Sequence, residues 1–244
     1  MLPKNKGWIF EIFASIQGES IYIGEQHTFV RFAGCNLACD YCDTAVTQIS
    51  DPPFCRTETS ACSQEFIKKE NPLSVEEVVD ACKKLKCRTI SITGGEPLVQ
   101  IDFANDLLIN LKSNGFRIYL ETNGTIPQHL EKLINYCDIV AMDIKLESTS
   151  GFPTKWDTHK KFIEIASQKK IIVKVVINNK TTIDEIVESS SLIAKKSKAI
   201  PFMLQPDSNT DINIVHYFKL QTEALKYLDD VRIIPQSHKA MGIL

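Results

Sequence analysis

Residues 28–44 read Thr-Phe-Val-Arg-Phe-Ala-Gly-Cys-Asn-Leu-Ala-Cys-Asp-Tyr-Cys-Asp-Thr, a strand-like run that ends in three closely spaced cysteines. Cys35, Cys39 and Cys42 have the spacing C-x3-C-x2-C. Thiolates are the usual protein ligands of iron–sulfur clusters, and local cysteine spacing presents several of them to one cluster. Because three thiolates leave one iron of a four-iron cluster open, the stretch predicts a [4Fe–4S] cluster whose open iron binds a cofactor. A zinc site with a distant fourth ligand, or buried thiols without metal, are the alternatives.

The composition suits one globular domain, since 43% of the 244 residues are hydrophobic and 24% are charged. A net charge of −2 gives no bulk attraction to nucleic acid or to an anionic membrane, so we expect neither as a partner. We see no signal peptide at the N-terminus and no run long enough to span a membrane. Eight cysteines without an export signal therefore favour a reducing, cytoplasmic location.

Strand-like runs alternate with helical patterns along most of the chain. The main strands are expected to begin near residues 28, 88, 116, 138, 171 and 200. This alternation predicts right-handed βαβ units and a parallel sheet with outer helices. Six such units are too few for the full eight-stranded barrel, so we predict an α/β fold with a partial (β/α)6 TIM-like barrel, open on one side. One domain over residues 1–244 is expected, with residues 45–73 as an irregular insertion or lid.

Polar residues follow the predicted strands at the points where they end, and the carboxyl ends of parallel strands are where such folds bind ligands. Gly94-Gly-Glu-Pro97 follows one strand, and its two glycines leave the backbone open to a ligand such as an amino acid. Glu121 and Asn123 could bind ribose hydroxyls or an ammonium, and Lys145 could bind a carboxylate. Gln205 ends a further strand. These motifs together predict a ligand site beside the cysteine loop.

The cysteine spacing followed by Gly94-Gly-Glu-Pro97 resembles the radical S-adenosylmethionine (SAM) superfamily. In that superfamily three cysteines hold a [4Fe–4S] cluster, SAM binds the open iron, and reductive cleavage of SAM yields a 5′-deoxyadenosyl radical. The resemblance implies a SAM site made of Gly94, Gly95, Glu96, Glu121, Asn123, Lys145 and Gln205. It also implies that the radical, rather than a side chain, performs the hydrogen abstraction.

A narrower resemblance lies in residues 11–19, 29–37 and 42–44, and again in Pro235-Gln-Ser-His-Lys239. These stretches are similar to the 7-carboxy-7-deazaguanine synthase family, which serves the route to queuosine and related 7-deazapurines. That family converts 6-carboxy-5,6,7,8-tetrahydropterin to 7-carboxy-7-deazaguanine with loss of ammonia, a carbon–nitrogen lyase reaction.

The family resemblance also implies residue roles and partners. Substrate binding is expected from Gln17, Glu19, Arg31, Thr93, His238 and the terminal Leu244. Thr44 would place its hydroxyl on a Mg2+ ion, which prefers oxygen ligands. Arg31 suits the substrate carboxylate because its planar fork matches that group, although pairing with a structural carboxylate is an alternative. A homodimer and a flavodoxin- or ferredoxin-type reductant are implied as partners.

Two other functions remain open from the sequence. Asp143-Ile-Lys145 replaces the Ser-Pro-Lys common in the synthase family and resembles glycyl-radical-enzyme activases, which share the cysteine loop. A zinc-stabilised binding module without catalysis is the alternative from another class. An auxiliary cluster that includes Cys55 and Cys62 lacks an evident full set of ligands, and His159 is expected on the surface of its helix.

Overall fold

A ten-stranded sheet forms the centre of the protein, in a computed structural model that describes residues 5–243. The predicted substrate residue Leu244 lies outside the described residues. The strands are β1 (Lys6–Gly7), β2 (Ile9–Ile16), β3 (Gln26–Phe32), β4 (Phe54–Glu58), β5 (Phe66–Glu70), β6 (Leu73–Ser74), β7 (Thr89–Gly94), β8 (Arg117–Thr122), β9 (Ile139–Asp143), β10 (Lys170–Ile177), β11 (Phe202–Pro206) and β12 (Val231–Ile233). The helices are α1 (Val75–Leu85), α2 (Ile101–Ser113), α3 (Pro127–Leu133), α4 (Glu147–Ser150), α5 (Trp156–Ala166), α6 (Ile183–Ala194), α7 (Ile214–Ala224) and α8 (Ser237–Met241).

The sheet has the strand order β12-β11-β10-β9-β8-β7-β3-β2-β4-β5. The seven strands from β3 to β12 in this order are parallel neighbours, and helices α1 to α7 lie in the crossovers between them. Within residues 5–243, β5 and β12 each have a partner on one side only, so the sheet is open. The predicted α/β fold with a partial barrel of six βα units is confirmed.

Local sequence signals explain where several elements begin. A capping box begins α1, since the Glu77 amide donates to Ser74 Oγ and the Ser74 amide donates to Glu77 Oε2. Strand β10 is the run Lys170–Ile177, which is rich in β-branched residues. Such a run suits a strand whose two faces are both covered, here by helices on one side and by the barrel interior on the other.

Two hydrophobic cores hold the sheet in place. The larger core lies between the strands and the helices. The smaller core fills the bottom of the barrel interior and consists of Tyr22, Tyr119, Ile139, Ile172 and Met203. Because strand residues alternate between faces, the next inward position above this small core is free to carry polar groups.

The prediction of an irregular segment over residues 45–73 is wrong for two stretches. Strands β4 and β5 form an antiparallel hairpin, and β4 also pairs with β2 in parallel, with Glu11 opposite Arg56. The segment therefore extends the central sheet. Its prolines lie beside the strands rather than within them, so they do not remove ladder hydrogen bonds. Cys55 is buried in the large core, whereas Cys62 is exposed near the hairpin turn.

Candidate active site

A cavity opens at the carboxyl ends of the parallel strands, above the small core. Fifteen of the residues predicted for ligand binding line it: Gln17, Glu19, Arg31, Cys35, Cys39, Cys42, Thr44, Thr93, Gly94, Gly95, Glu121, Asn123, Lys145, Gln205 and His238. Glu96 is not among the lining residues. The strands bring these side chains together because alternate residues of β8, β9 and β10 point into the barrel.

The cysteine loop forms one wall of the cavity. Cys35, Cys39 and Cys42 are partly exposed free thiols, and burial raises the pKa of Cys35 and of Cys39. Soft thiolates that lose their protons to a metal suit an iron–sulfur cluster. In residues 5–243 no three His, Cys, Asp or Glu side chains converge as one bound ion requires. A [4Fe–4S] cluster does not need that convergence, because each thiolate binds a different iron.

Gly94 and Gly95 pack the second motif directly against the cysteine loop. A Cβ atom on Gly95 would lie 2.1 Å from the Gly34 carbonyl oxygen, and one on Gly94 would lie 2.3 Å from Phe32 backbone atoms. The Gly95 amide donates to the Phe32 carbonyl at 3.0 Å, and the next amide, of Glu96, donates to Gly34 at 2.8 Å. The amides of Gly95 and Glu96 therefore donate to backbone carbonyls within the fold. The glycines allow the cysteine loop to approach closely, and they also leave the backbone accessible to a ligand.

Glu96 joins the end of β7 to the end of β8 from behind the cavity wall. Its fully buried carboxylate accepts hydrogen bonds from the Asn123 amide at 2.7 Å, the Thr122 hydroxyl at 2.9 Å and the Leu98 amide at 3.0 Å. Burial raises the pKa of Glu96 to about 7, against the opposing effect of these donors. This position supports the loop that carries Asn123, and a direct contact of Glu96 with SAM stays a prediction.

Glu121 connects residues that were predicted for different ligands. Gln17 Nε2 donates to Glu121 Oε1 at 2.9 Å, and the Thr93 hydroxyl donates to Glu121 Oε2 at 2.7 Å. Burial raises the pKa of Glu121, and the negative charge of Glu19 raises it further. Glu121 therefore lies among the expected substrate residues although it was predicted for the cofactor.

Arg31 both lines the cavity and pairs with a carboxylate of the fold. Its Nε donates to Glu11 Oε1 at 2.8 Å, and its guanidinium lies 5.6 Å from the centroid of the Phe13 ring. Glu11 also approaches Arg56 of the hairpin at 3.5 Å. Pairing with Glu11 orients the Arg31 fork at the cavity wall, so the two alternatives considered for Arg31 are compatible.

Four charged side chains cross the cavity floor in sequence. Lys145 Nζ lies 2.6 Å from Asp143 Oδ2 and 2.9 Å from the Tyr41 hydroxyl. Lys174 Nζ lies 3.5 Å from Asp143 Oδ1 and donates to Glu19 Oε2. Burial alone would raise the pKa of Asp143, but the two lysines hold it below its usual range. Sequence reasoning missed Lys174, and its signal was a lysine inside an otherwise apolar strand.

The tail of the chain returns to the cavity mouth. Gln236 Nε2 donates to Glu19 Oε1 at 2.9 Å and to Asp43 Oδ2 at 2.7 Å. The Ser237 amide donates to the Gly18 carbonyl at 2.9 Å, and a Cβ on Gly18 would lie 2.4 Å from His238 Nδ1. His238 therefore lies against the cavity mouth, held there partly by contacts of Gln236 and Asp43 that the sequence did not predict.

The prediction that His159 lies on the surface is wrong. His159 is fully buried on α5, and its Nε2 accepts the Lys145 amide at 3.3 Å. Burial lowers the pKa of His159 to about 4, so its ring is neutral at pH 7. A spacing of three and four residues places it on the same helix face as Phe162, Ile163 and Ala166, and this pattern could have predicted its burial.

Comparison with known proteins agrees with this geometry. The model of the Radical SAM superfamily matches residues 29–196. A 7-carboxy-7-deazaguanine synthase from Geobacter sulfurreducens is 40% identical over 244 aligned residues that span 96% of each chain, and one from Archaeoglobus fulgidus is 34% identical over 96% of this chain and 98% of its own. The crystal structure of QueE from Escherichia coli shares the fold, with a TM-score of 0.63 at 22% identity over 96% of this chain and 95% of its own. The chain therefore belongs to the 7-carboxy-7-deazaguanine synthase family of the radical SAM superfamily.

Proposed function

We propose that the protein is a 7-carboxy-7-deazaguanine synthase that converts 6-carboxy-5,6,7,8-tetrahydropterin to 7-carboxy-7-deazaguanine with loss of ammonia. The observation that carries the proposal is that the cysteine loop, the Gly94-Gly95 turn and the expected pterin residues within residues 5–243 line one cavity. Whole-chain similarity to synthases supports the same reaction. The product would enter queuosine or related 7-deazapurine synthesis.

The cofactor half of the cavity fits a [4Fe–4S] cluster and SAM. Cys35, Cys39 and Cys42 would hold the cluster, and the SAM site would include Gly94, Gly95, Asn123, Lys145 and Gln205. When bound, this pair supplies the radical that removes a hydrogen atom from the substrate. The residues of the chain bind and orient the reactants and keep water from the reacting atoms.

The substrate half offers groups that match a carboxylated pterin. The carboxylates of Glu19 and Glu121 can accept pterin N–H groups, and Gln17 and Thr93 fix the second of them. Arg31 would bind the substrate carboxylate, and His238 would cover the ring from the tail. The Thr44 hydroxyl would bind a Mg2+ ion that also contacts substrate oxygens.

The two competing functions have less support. An activase that acts on a partner protein would not need the pterin set of Gln17, Glu19, Arg31 and Thr44 on the cavity wall. A zinc-stabilised binding module has no use for a deep cavity with a SAM-type glycine turn. The whole-chain relatives are named as synthases, and this favours the enzyme.

We also propose that residues 1–244 form one radical SAM domain, supplied with electrons by a flavodoxin- or ferredoxin-type reductant. Every helix within residues 5–243 is too short or too polar to cross a membrane. Cytoplasmic location is proposed on a separate ground, because eight free cysteines suit a reducing compartment.

A homodimer is proposed through the outer face of α7. Val215, Phe218, Thr222 and Leu225 follow one another at three- and four-residue spacing, and all four are exposed. Phe218 and Val215 are each 65% exposed. Such a stripe is the pattern that packs against a second helix. In an antiparallel pair centred on Phe218, Asp211 before the helix of one copy would face Lys226 after the helix of the other, so the charges are complementary between two copies.

The test is an anaerobic assay of reconstituted protein with dithionite, SAM, Mg2+ and 6-carboxy-5,6,7,8-tetrahydropterin. We expect 7-carboxy-7-deazaguanine and 5′-deoxyadenosine from the parent protein. A Cys39→Ala variant is the control and should form neither. If 5′-deoxyadenosine appears from the parent without the deazaguanine, the radical chemistry stands and the proposed substrate is rejected.

A further inference from the structure

Lys174 has a central place in the cavity, and neither the family resemblance nor the proposed function gives it a role. It lies on β10, where Ile172, Lys174 and Val176 face the cavity on alternate residues. Its ammonium group donates to Glu19 Oε2 and lies 3.5 Å from Asp143 Oδ1. Only 19% of its side chain is exposed, so both contacts are shielded from water.

The two carboxylates that Lys174 contacts belong to opposite halves of the cavity. Glu19 belongs to the expected substrate half, and its other oxygen accepts Gln236 Nε2 from the tail at 2.9 Å. Asp143 borders the expected cofactor half, because its other oxygen contacts Nζ of Lys145, an expected SAM residue, at 2.6 Å. Lys174 thus connects the Glu19–Gln236 contact to the Asp143–Lys145 contact.

The charges around Lys174 make this link sensitive to its removal. Glu19, Glu121 and Asp143 are three carboxylates that line the cavity. The charge of Lys174 opposes the raised pKa of Glu121 and lowers the pKa of Asp143. Without Lys174, Lys145 would remain beside Asp143, and Glu19 would lose its lysine partner. Like charges at low dielectric repel strongly, so the carboxylates would separate or take up a proton. Either change would alter the carboxylate hydrogen-bond acceptors that SAM and the substrate contact.

We propose that Lys174 is a positioning residue that couples the substrate half of the cavity to the SAM half by fixing Glu19 and Asp143 at once. The identity of the two ligands rests on the proposed function. Energetic coupling between two sites is reciprocal, so each ligand changes the affinity for the other by the same factor. A residue that touches only one half affects one ligand, whereas Lys174 affects both and their coupling.

The test measures binding rather than turnover. Anaerobically reconstituted parent protein, Lys174→Met and Lys174→Arg are titrated calorimetrically with SAM and with 6-carboxy-5,6,7,8-tetrahydropterin, each alone and each with the other present. Lys170→Met is the matched control, because Lys170 is on the same face of β10 but is exposed, contacts the Tyr22 ring and does not line the cavity.

We expect Lys174→Met to raise the Kd of both ligands by about tenfold and to abolish the effect of each on the other, within the usual range of coupling. Lys174→Arg keeps the charge and should retain part of the coupling, and Lys170→Met should match the parent. Iron content and thermal unfolding verify that each variant is folded. If Lys174→Met does not fold, Lys174→Gln replaces it, and loss of coupling in that variant supports the proposal.

Unchanged affinities in Lys174→Met, or a loss confined to one ligand, would overturn the proposal. Failure of the proposed function gives a different result, namely a parent protein that binds SAM but not the pterin. In that case the SAM affinity of Lys174→Met, compared with the parent and with Lys170→Met, still decides whether Lys174 orders Asp143 for the cofactor half.

Discussion

Gly95 has no side chain, and this lets the Gly94-Gly95 turn contact the cysteine loop. The site for a Cβ atom is 2.1 Å from the Gly34 carbonyl oxygen, which is backbone and cannot rotate away. We expect Gly95→Ala to push the cysteine loop from the Gly94-Gly95 turn and to destabilise the protein by about 1–3 kcal/mol, as overpacked sites do. Iron bound per chain after anaerobic reconstitution should fall well below that of the parent.

Gly115→Ala is the control for that substitution. Gly115 has a φ of +82°, and a Cβ there would meet no atom within 4 Å. Its cost is backbone strain of about 1 kcal/mol without any clash near the cavity, so stability should fall while iron content is retained. Full iron content in Gly95→Ala would show that the close contact is not needed for cluster assembly.

The residues that the sequence did not predict share one property. Lys174, Asp43 and Gln236 act through partners that are distant in the chain, such as Glu19 and Asp143. The cysteine loop and the glycine turn were recognisable because their chemistry lies within a few consecutive residues. A lysine inside an apolar strand such as β10 is unusual, but the local sequence does not show which residues it contacts, because the sheet register brings its partners to it.

The ends of β7 and β8 are joined through Glu96, and this joint should depend on pH. Burial raises the pKa of Glu96 from 4.5 to about 7, so the folded protein holds its proton more tightly than the unfolded chain. The contribution of Glu96 to stability should therefore be largest at acidic pH and should fall as the pH rises from about 4.5 through 7, by up to about 3 kcal/mol. Glu96→Gln cannot ionise and should lose this part of the pH dependence.

Denaturant unfolding at pH 5 and pH 8, with metal-free protein under reducing conditions, measures that difference. A glutamine at position 96 can lose one of the three hydrogen bonds that Glu96 accepts, so the Glu96→Gln variant should be less stable by about 1 kcal/mol at both pH values. The relevant quantity is the difference in its free energy of unfolding between pH 5 and pH 8. Glu70→Gln, on the exposed strand β5, should keep the parent's pH dependence. A parent-like slope in Glu96→Gln would mean that Glu96 does not titrate in this range.

Elements were predictable where one periodic pattern dominated the sequence. Strand β10 is rich in β-branched residues, and α1 has both a capping box and an apolar face. Strands β4 and β5 were missed because they lie at a sheet edge, where polar residues such as Lys68 and Lys69 are tolerated and the apolar signal is weak. Their pairing with β2 depends on tertiary structure that the local sequence does not specify.

At the scale of the whole molecule, the sheet and its helices bury their apolar faces in two cores, but α7 keeps an apolar stripe outside. Ile212 and Ile214, which are 68% and 61% exposed, extend this stripe at the start of the helix. Contiguous exposed apolar surface of this kind marks an interaction site. The same face on a second copy is the proposed occupant, since a two-fold axis at Phe218 would pair the stripe with itself.

Phe218→Glu should therefore convert a dimer to monomers. Two glutamates would meet at the two-fold axis in place of two aromatic rings, and loss of such a central aromatic contact costs about 2 kcal/mol, or about thirtyfold in Kd. Sedimentation equilibrium over a range of protein concentrations measures this change. Ile67→Glu is the matched control, because Ile67 is also exposed and apolar but lies on β5 at the opposite edge of the sheet. A parent that is monomeric, or equal dissociation constants for the parent and Phe218→Glu, would exclude α7 as the interface.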